Sequence, residues 1–450
     1  MLHREDALIP LVLCLTALPV QGTSTPTWHG EVEGIVEQHC SGCHSSSGPA
    51  PFPLRSYEDV ANRSNFIEVV IREGIMPPWL PSDSGLPLQS HRGLSKREIQ
   101  TVSDWIRGGR PIGQSGEVSP KDDRVAGIPE ADLSIRMTNQ WMIPAEGGKN
   151  WGRRERDKRT FVLPLGNDRS LRVREMRYET SAPKAVHAVS FLADDQGHAR
   201  YVDEREEGPG HYMTGDVNDR PSGELGSVGI GSRSLQLPPG YHWEIPARSD
   251  LVMQVHFRPT GRSMPLQESV DMWFVKDEMD SRAVRTLLNM IWRVDVPTGE
   301  ISKLTESWML PVDVDLLGFT ARGSGVLTEL DLTAHFPDGR IVKLLDIPDF
   351  DPHWRQTWLL EKSSRLPAGT RVVGSWALEN TNDNPRNPFI PLQRYVTARR
   401  TGVLATMLHV AAVDSVDDEA LKSWHQGMIR SRPAAQKPTV EPDKSPSGQS

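Results

Sequence analysis

His39-Cys40-Ser41-Gly42-Cys43-His44 places two thiols three residues apart, with an imidazole directly after the second. Each thiol of such a C-x-x-C-H run can form a thioether to a haem vinyl group, and the following His is placed to ligate the iron from the proximal side. A zinc half-site would need further Cys or paired His ligands. The chain's only other Cys, Cys14, sits in an apolar leader. The stretch therefore reads as an attachment site for haem c, with Cys40 and Cys43 as the covalent anchors and His44 as the axial ligand.

Helices are expected around it. Val32, Ile35, Val36 and Cys40 recur at helical spacing, so a first helix delivers the motif at its C-terminal end. Phe66, Ile67, Val70 and Ile71 form a second apolar face that Gly74 closes. Ser95-Lys96-Arg97-Glu98 is a capping box, in which the Ser and Glu side chains satisfy the first free amides of a third helix. That helix carries Ile99, Val102, Trp105 and Ile106 and ends at Gly108-Gly109. Between the second and third helices lies Ile75-Met76-Pro77-Pro78-Trp79, where two prolines forbid helix and hold the chain extended. Met76 can then project its thioether onto the distal side of the iron, with His91 and His39 as competing ligands. The run is similar to the M-P-P-W signature of small bacterial c-type cytochrome domains. A His/Met iron has both axial positions filled, a raised potential and no open position for dioxygen, which is an electron-transfer arrangement. The expectation is a small all-α cytochrome c domain over 25–113.

At 450 residues the chain holds two or three domains, so this unit accounts for only a part. The net charge of -8, without a long basic block, argues against nucleic acid and gives no pull toward an anionic membrane surface. A redox protein partner or a small-molecule ligand is expected instead. The apolar run Ala7 to Val20 is too short and too broken by Pro10 and Pro19 to span a bilayer. It reads as a secretory signal over 1–22, which predicts an exported protein, periplasmic or extracellular, with no transmembrane anchor.

A polar linker at 114–130 precedes a change of pattern. Thr160-Phe161-Val162-Leu163, Ala188 to Leu192, Leu251 to Phe257 and Leu330 to Phe336 recur between Pro, Gly and Asp turns, as strands of β-sandwiches do. Pro259-Thr260-Gly261-Arg262 and Pro337-Asp338-Gly339-Arg340 supply tight turns. The length suits two sandwiches, 131–280 and 281–415, followed by a disordered tail at 416–450. Trp151, Trp243, Trp292 and Trp308 are read as core or rim.

The order of several motifs resembles the bacterial copper type II, ascorbate-dependent monooxygenases. They are Pro144-Ala145-Glu146-Gly147, Val186-His187-Ala188-Val189, Leu237-Pro238-Pro239-Gly240, Gln254 to Gly261, Leu310 to Val314, Ile347 to Asp351 with Trp354 and Gln356, and Asn384 to Pro388. This resemblance runs from Ala131 to about Val413. It implies two all-β jelly-roll sandwiches, each with one copper, facing across a water-filled cleft, in the manner of peptidylglycine and dopamine hydroxylases.

The resemblance also implies ligands that this chain departs from. The first copper takes three His, two of them adjacent; here the pair is His187-Ala188, and His256 matches the third. His187 and His256 are thus candidates for a residual copper, with His198, His211 or His242 as substitutes, since imidazole suits copper. The His-x-His pair of the second copper falls on Arg322-Gly323-Ser324, and arginine has no lone pair for a metal. Its Met ligand falls near Leu404, with Met407 out of register; His335, His353 and His409 would be the replacements. Met213 stands where relatives often carry a disulfide Cys. The reading is an exported haem c electron-transfer protein with a degenerate monooxygenase-like region. The alternative is a haem–copper oxidoreductase that uses the fused haem as electron donor.

Overall fold

The computed structural model describes residues 25–46, 48–89, 92–114, 129–145, 158–212, 223–229, 231–258, 260–276, 279–291, 294–396, 404–435 and 441–442. The leader with Cys14, His91, the linker at 115–128, Glu146-Gly147, Trp151, Met213, Pro259, Trp292 and the 401–403 stretch lie outside the described residues. The chain is mostly β.

Two β-sandwiches follow a helical segment. In the first, Leu133–Arg136, Glu268–Phe274, Leu171–Thr180, Tyr241–Ile245 and Arg282–Ala283 form one sheet, with Ser234–Gln236 added to Leu171–Thr180. It faces a four-stranded sheet ordered Lys158–Pro164, Asp250–Phe257, Val186–Asp194, Glu224–Gly229. Met176, Trp243 and Met272 from one sheet meet Phe161, Phe191 and Met253 from the other in a single core. The second sandwich pairs the sheet Arg285–Ile291, Leu404–Ala412, Val314–Arg322, Thr357–Leu366 with the sheet Ile341–Ile347, Leu327–His335, Arg371–Glu379, Ile301–Met309, Glu441–Pro442. Leu330, Leu332, Phe319, Trp358 and Trp376 lie in its core. The chain crosses between sandwiches at Val284, since Ala283 pairs with His242 and Arg285 with Val410. Trp243 and Trp308 are buried, as read.

Burial shows how the sandwiches meet. Ile301–Met309 alternates between exposed and buried positions, as a strand with one wet face must. Asp250–Phe257, Val314–Arg322 and Leu404–Ala412 are buried along their whole length. Their sheets are therefore covered on both faces, one by the partner sheet and the other by the contact between sandwiches together with the helices His198–Asp203 and Ser415–Ala435. Leu317, Leu359 and Ala411 of the second sandwich accordingly join the apolar cluster of the first.

The helical segment has its own core of Trp28, Val36, Ile67, Val70, Val102 and Trp105. A short π-helical turn at Trp28–Val32 leads into α1 (Glu33–His39); α2 (Tyr57–Ala61), α3 (Ser64–Arg72) and α4 (Lys96–Arg107) follow. The capping box at Ser95 and Glu98 is present, and α4 stops at Gly108 before Gly109, whose φ of 85° suits a residue without a Cβ. Helix α2, with its own capping box at Ser56 and Asp59, was not expected. Phe66 departs from its expected place: it is 58% exposed, because Ile67, Val70 and Ile71 take the inward face of α3.

Two segments correct the sequence reading. Residues 416–450 were expected to be disordered, yet Ser415–Ala435 forms helix α6, and Glu441–Pro442 adds to the edge of Ile301–Met309. The reason is an apolar stripe at helical spacing: Leu421 and His425 are buried, and Trp424 and Met428 pack on the second core. The second is the stretch after Met76, expected within the cytochrome c domain. Trp79, Leu80, Leu86 and Leu88 instead pack on the core of the second sandwich.

Leu421 is fully buried. Leu421→Ala is expected to lower stability by about 2–5 kcal/mol, the range for truncating a buried Leu. Denaturant unfolding followed by tryptophan fluorescence checks it.

Candidate functional site

The backbone at the end of α1 creates the motif's geometry. The Cys40 amide bonds Val36 O at 2.9 Å, and the amides of Cys43 and His44 both turn back to Cys40 O, at 3.1 and 2.9 Å. This tight turn carries both thiols, which are free, and the imidazole. His44 Nδ1–H donates to Phe52 O at 2.9 Å, and the Phe52 ring lies 5.0 Å away. That bond fixes the tautomer, leaving the Nε2 lone pair for a metal, as the outer hydrogen bond of a ligating His does. Burial holds the His44 pKa below its ordinary value, opposed by the Phe52 carbonyl, with Arg63 adding to the depression. The neutral, ligating form is thus favoured.

Burial pushes the Cys40 thiol up to about 11, with Cys43 adding to it. Cys43 is also raised by burial, against the opposing pull of Arg92 and Arg233. Its sulfur lies against Gly231 of the first sandwich, where the left-handed φ of 75° and the absence of a Cβ both matter. Arg92 Nη2 donates to Gly231 O at 2.5 Å, tying the same loop down. A small open cleft beside it is lined by Gly42, Pro49, Tyr178, His187, Gly231 and Arg233. Free thiols, a fixed tautomer and a bare Nε2 fit a covalently held haem.

His39 does not fit as a ligand. Its Nδ1 lies 3.1 Å from Arg92 O and its Nε2 3.1 Å from Glu98 Oε1, so both nitrogens are occupied. Met76 is 39% exposed and follows the left-handed Gly74 at the end of α3. Its backbone amide bonds Val70 O at 3.0 Å.

The second group of interest lies on the first sandwich. A β-bulge between Val186 and Ala188 turns His187 to the same side as His256. Their rings are 6.0 Å apart, and His187 Nδ1 and His256 Nε2 are buried without a hydrogen bond. His353, from the second sandwich, brings its ring to 6.5 Å from His187. Burial lowers the His187 pKa to about 3, and Arg355 and His353 depress it further. Burial likewise takes His256 well down, again with Arg355 next. Both rings are neutral and two nitrogens are bare, but the nearby Arg355 disfavours a cation. Among the described residues no three His, Cys, Asp or Glu side chains converge as a metal cage.

The other histidines are not brought to this pair. His198 starts helix α5 (His198–Asp203), His211 lies 3.7 Å from Asp203, and His242 bonds Ser281 at 2.7 Å. His335 lies beside Thr333.

His409 belongs to a hydrogen-bond chain whose direction can be derived. The Thr286 hydroxyl donates to Glu224 O at 2.9 Å, so it can only accept from His409 Nδ1–H at 3.1 Å. His409 Nε2 must then accept from Thr320 Oγ1 at 2.8 Å, and Thr320 accepts from Thr357 at 2.7 Å. Thr357 in turn accepts from the Ser227 amide at 2.9 Å. The chain begins and ends on Glu224–Gly229 of the first sandwich and runs through the second. Beside it, Arg322 Nη2 donates to Glu224 Oε1 at 2.8 Å with both side chains buried. Ser324, two residues on, accepts from Tyr395 OH at 2.7 Å. Positions that the resemblance gave to a copper pair are thus occupied by inter-sandwich ion pairing and core hydrogen bonding. Met407 packs with Leu288, Met290 and Ala405 in a small apolar cluster.

Sequence reasoning missed Phe52, Arg92, Gly231 and Arg355, which lie 8 to over 100 residues from the groups they contact. No local spacing signals them.

No family model and no curated protein matches the chain. Among solved structures, PNGF-II is 11% identical with a TM-score of 0.28, covering 63% of this chain and 65% of its own. The chain thus spans about two thirds of that protein's length. The major capsid protein P2 of bacteriophage PM2 is 7% identical with a TM-score of 0.25, covering 64% of this chain and 99% of its own. The Broad Bean Stain Virus structure is 7% identical with a TM-score of 0.24, covering 66% and 94%.

Two predictions follow from the interface between sandwiches. Glu224→Gln removes the carboxylate of a buried ion pair and is expected to cost about 3–5 kcal/mol, whereas Glu224→Leu with Arg322→Met costs less than either of its single changes, because both partners of the pair leave together. Chemical denaturation of the four proteins checks it. Burial lowers the pKa of His409 to about 3. Its unfolded form takes up a proton below about 6.5, so this contribution is present above pH 6.5 and lost as the pH falls from there toward 3. The slope is at most about 1.4 kcal/mol per pH unit. His409→Gln should flatten the fall in melting temperature between pH 7 and 5.

Proposed function

We propose that the protein is an exported haem c electron-transfer protein whose monooxygenase-like β-sandwiches have lost hydroxylase activity. The observation that carries this reading is the His44 imidazole, with Nδ1–H held by Phe52 O and Nε2 without a hydrogen bond among the described residues, on the same tight turn as two free thiols. Cys40 and Cys43 would hold the haem through thioethers, His44 would ligate its iron, and Met76 would fill the sixth position. Haem bound in this way supplies reversible one-electron transfer. The chain's own residues orient the proximal imidazole, keep it neutral and enclose one thiol between the helical segment and the first sandwich. The helical segment is the cytochrome c domain of this reading. The sandwiches are its jelly-roll domains, and a redox protein is the partner.

Loss of hydroxylation is supported by the second sandwich. Arg322 pairs with Glu224, and His409 spends both nitrogens on threonines. A second reading keeps one copper. It is favoured by the 6.0 Å approach of His187 and His256, each with a buried bare nitrogen.

The test is expression in a host that matures c-type haem, followed by copper loading, desalting, elemental analysis and spectra of both oxidation states. About one iron per chain is expected, with a low-spin Met-ligated spectrum and no copper. Cys40→Ala with Cys43→Ala is expected to abolish covalent haem. Absence of covalent haem in the parent protein would sink the reading. Retained copper that disappears in His187→Ala would replace it with the haem–copper alternative.

A further inference from the structure

The stretch between α3 and α4 belongs to two parts of the molecule at once. Ile341–Ile347 and Thr357–Leu366 are edge strands of the two sheets of the second sandwich. Residues 82–89 run across both edges. The Ser82 amide bonds Asp346 O at 2.8 Å and the Leu86 amide bonds Leu344 O at 3.0 Å, on the first edge. On the second edge the Gln89 amide bonds Leu359 O at 2.7 Å, and the Glu361 amide bonds Pro87 O at 3.1 Å. Leu88 forms an antiparallel bridge with Leu360.

Side chains reinforce the first edge. Ser82 Oγ and Ser84 Oγ both donate to Asp346 Oδ2, at 2.5 and 2.8 Å, and Lys343 Nζ lies 3.4 Å from Asp346 Oδ1. The Asp346 carboxyl is held below its ordinary pKa despite burial by these two hydroxyls and Lys343. Trp79 and Leu80 pack on the second core. Only Pro77 and Pro78 separate Trp79 from Met76, and proline rings fix φ at both positions. Met76 is thus held at one end by its amide bond to Val70 O in α3 and at the other by a stiff link to the second sandwich.

We propose that the second sandwich positions the distal ligand of the haem iron, through the clamp of Asp346 on Ser82 and Ser84. This rests on Met76 ligation as read above. Asp346 is a positioning residue: it touches neither haem nor Met76 and acts through the segment that carries Met76.

The experiment uses the haem-loaded full chain and follows cyanide binding to the ferric iron, a reaction that requires the sixth ligand to leave. The red charge-transfer band of sulfur-ligated ferric haem is recorded alongside. Met76→Ala sets the fast limit and loses the band. Asp346→Ala, and independently Ser82→Ala with Ser84→Ala, are expected to bind cyanide several-fold faster than the parent and to weaken the band. Asp346→Asn, which keeps an acceptor oxygen, should restore most of the parent behaviour. If the parent already binds at the Met76→Ala rate, Met76 is not the ligand and the underlying reading fails. If Met76→Ala is fast while both clamp variants match the parent in rate and band, the ligand stands and the positioning role is overturned.

Discussion

Open sheet edges constrain the whole molecule. A strand at an edge presents a row of unpaired amides and carbonyls, which must be covered or left to pair with another chain. Ile341–Ile347 and Thr357–Leu366 would leave such rows on one side of the second sandwich, and residues 82–89 cover both. Because that cover lies between α3 and α4, the helical segment is fixed to the second sandwich by the need to close its edges. The opposite edge of the larger sheet is met by Glu441–Pro442 on Ile301–Met309.

The contact between sandwiches obeys a different rule. Its strands are buried on both faces, yet many of the side chains there are polar: Ser190, Gln254, Thr320, Arg322 and His409. Polar groups removed from water must bond one another, and the run from Ser227 through Thr357, Thr320, His409 and Thr286 to Glu224 O does so with one consistent donor direction. A single direction means that no member can change its protonation without reversing its neighbours. Such a contact holds the two sandwiches in one register, and it occupies both nitrogens of His409.

Local rules made the helices legible. Apolar spacing gave the inward faces of α1 and α4, and the Ser95 capping box located the start of α4. Alternation and turn residues exposed the strands, and the chain crosses between sandwiches at Val284, just past the expected join at 280/281. The sequence reading failed where a decision belonged to tertiary contact. The Met76 segment is extended, as its prolines require, but no local pattern says that Trp79 and Leu88 will leave the helical core for a strand edge over 250 residues away. The tail composition is polar after Ser431, which hid the stripe of Leu421, Trp424, His425 and Met428 just before it. For the candidate site, the motif gave Cys40, Cys43 and His44. The carbonyl that selects the His44 tautomer and the glycine that receives the Cys43 sulfur depend on folding.

These contacts show how polar side chains are accommodated inside the β region. Function resides in side chains placed on a fold, so sheets can carry an arginine and a serine in their interior if those side chains find partners. Arg322 finds Glu224 and Ser324 finds Tyr395, so each side chain has a buried partner. Removing the sandwiches would do more damage than removing a metal. The first supplies Gly231 against Cys43, and the second supplies the edges that hold the Met76 segment. The thiol–imidazole turn and the Met76 segment are thus each braced by a different sandwich.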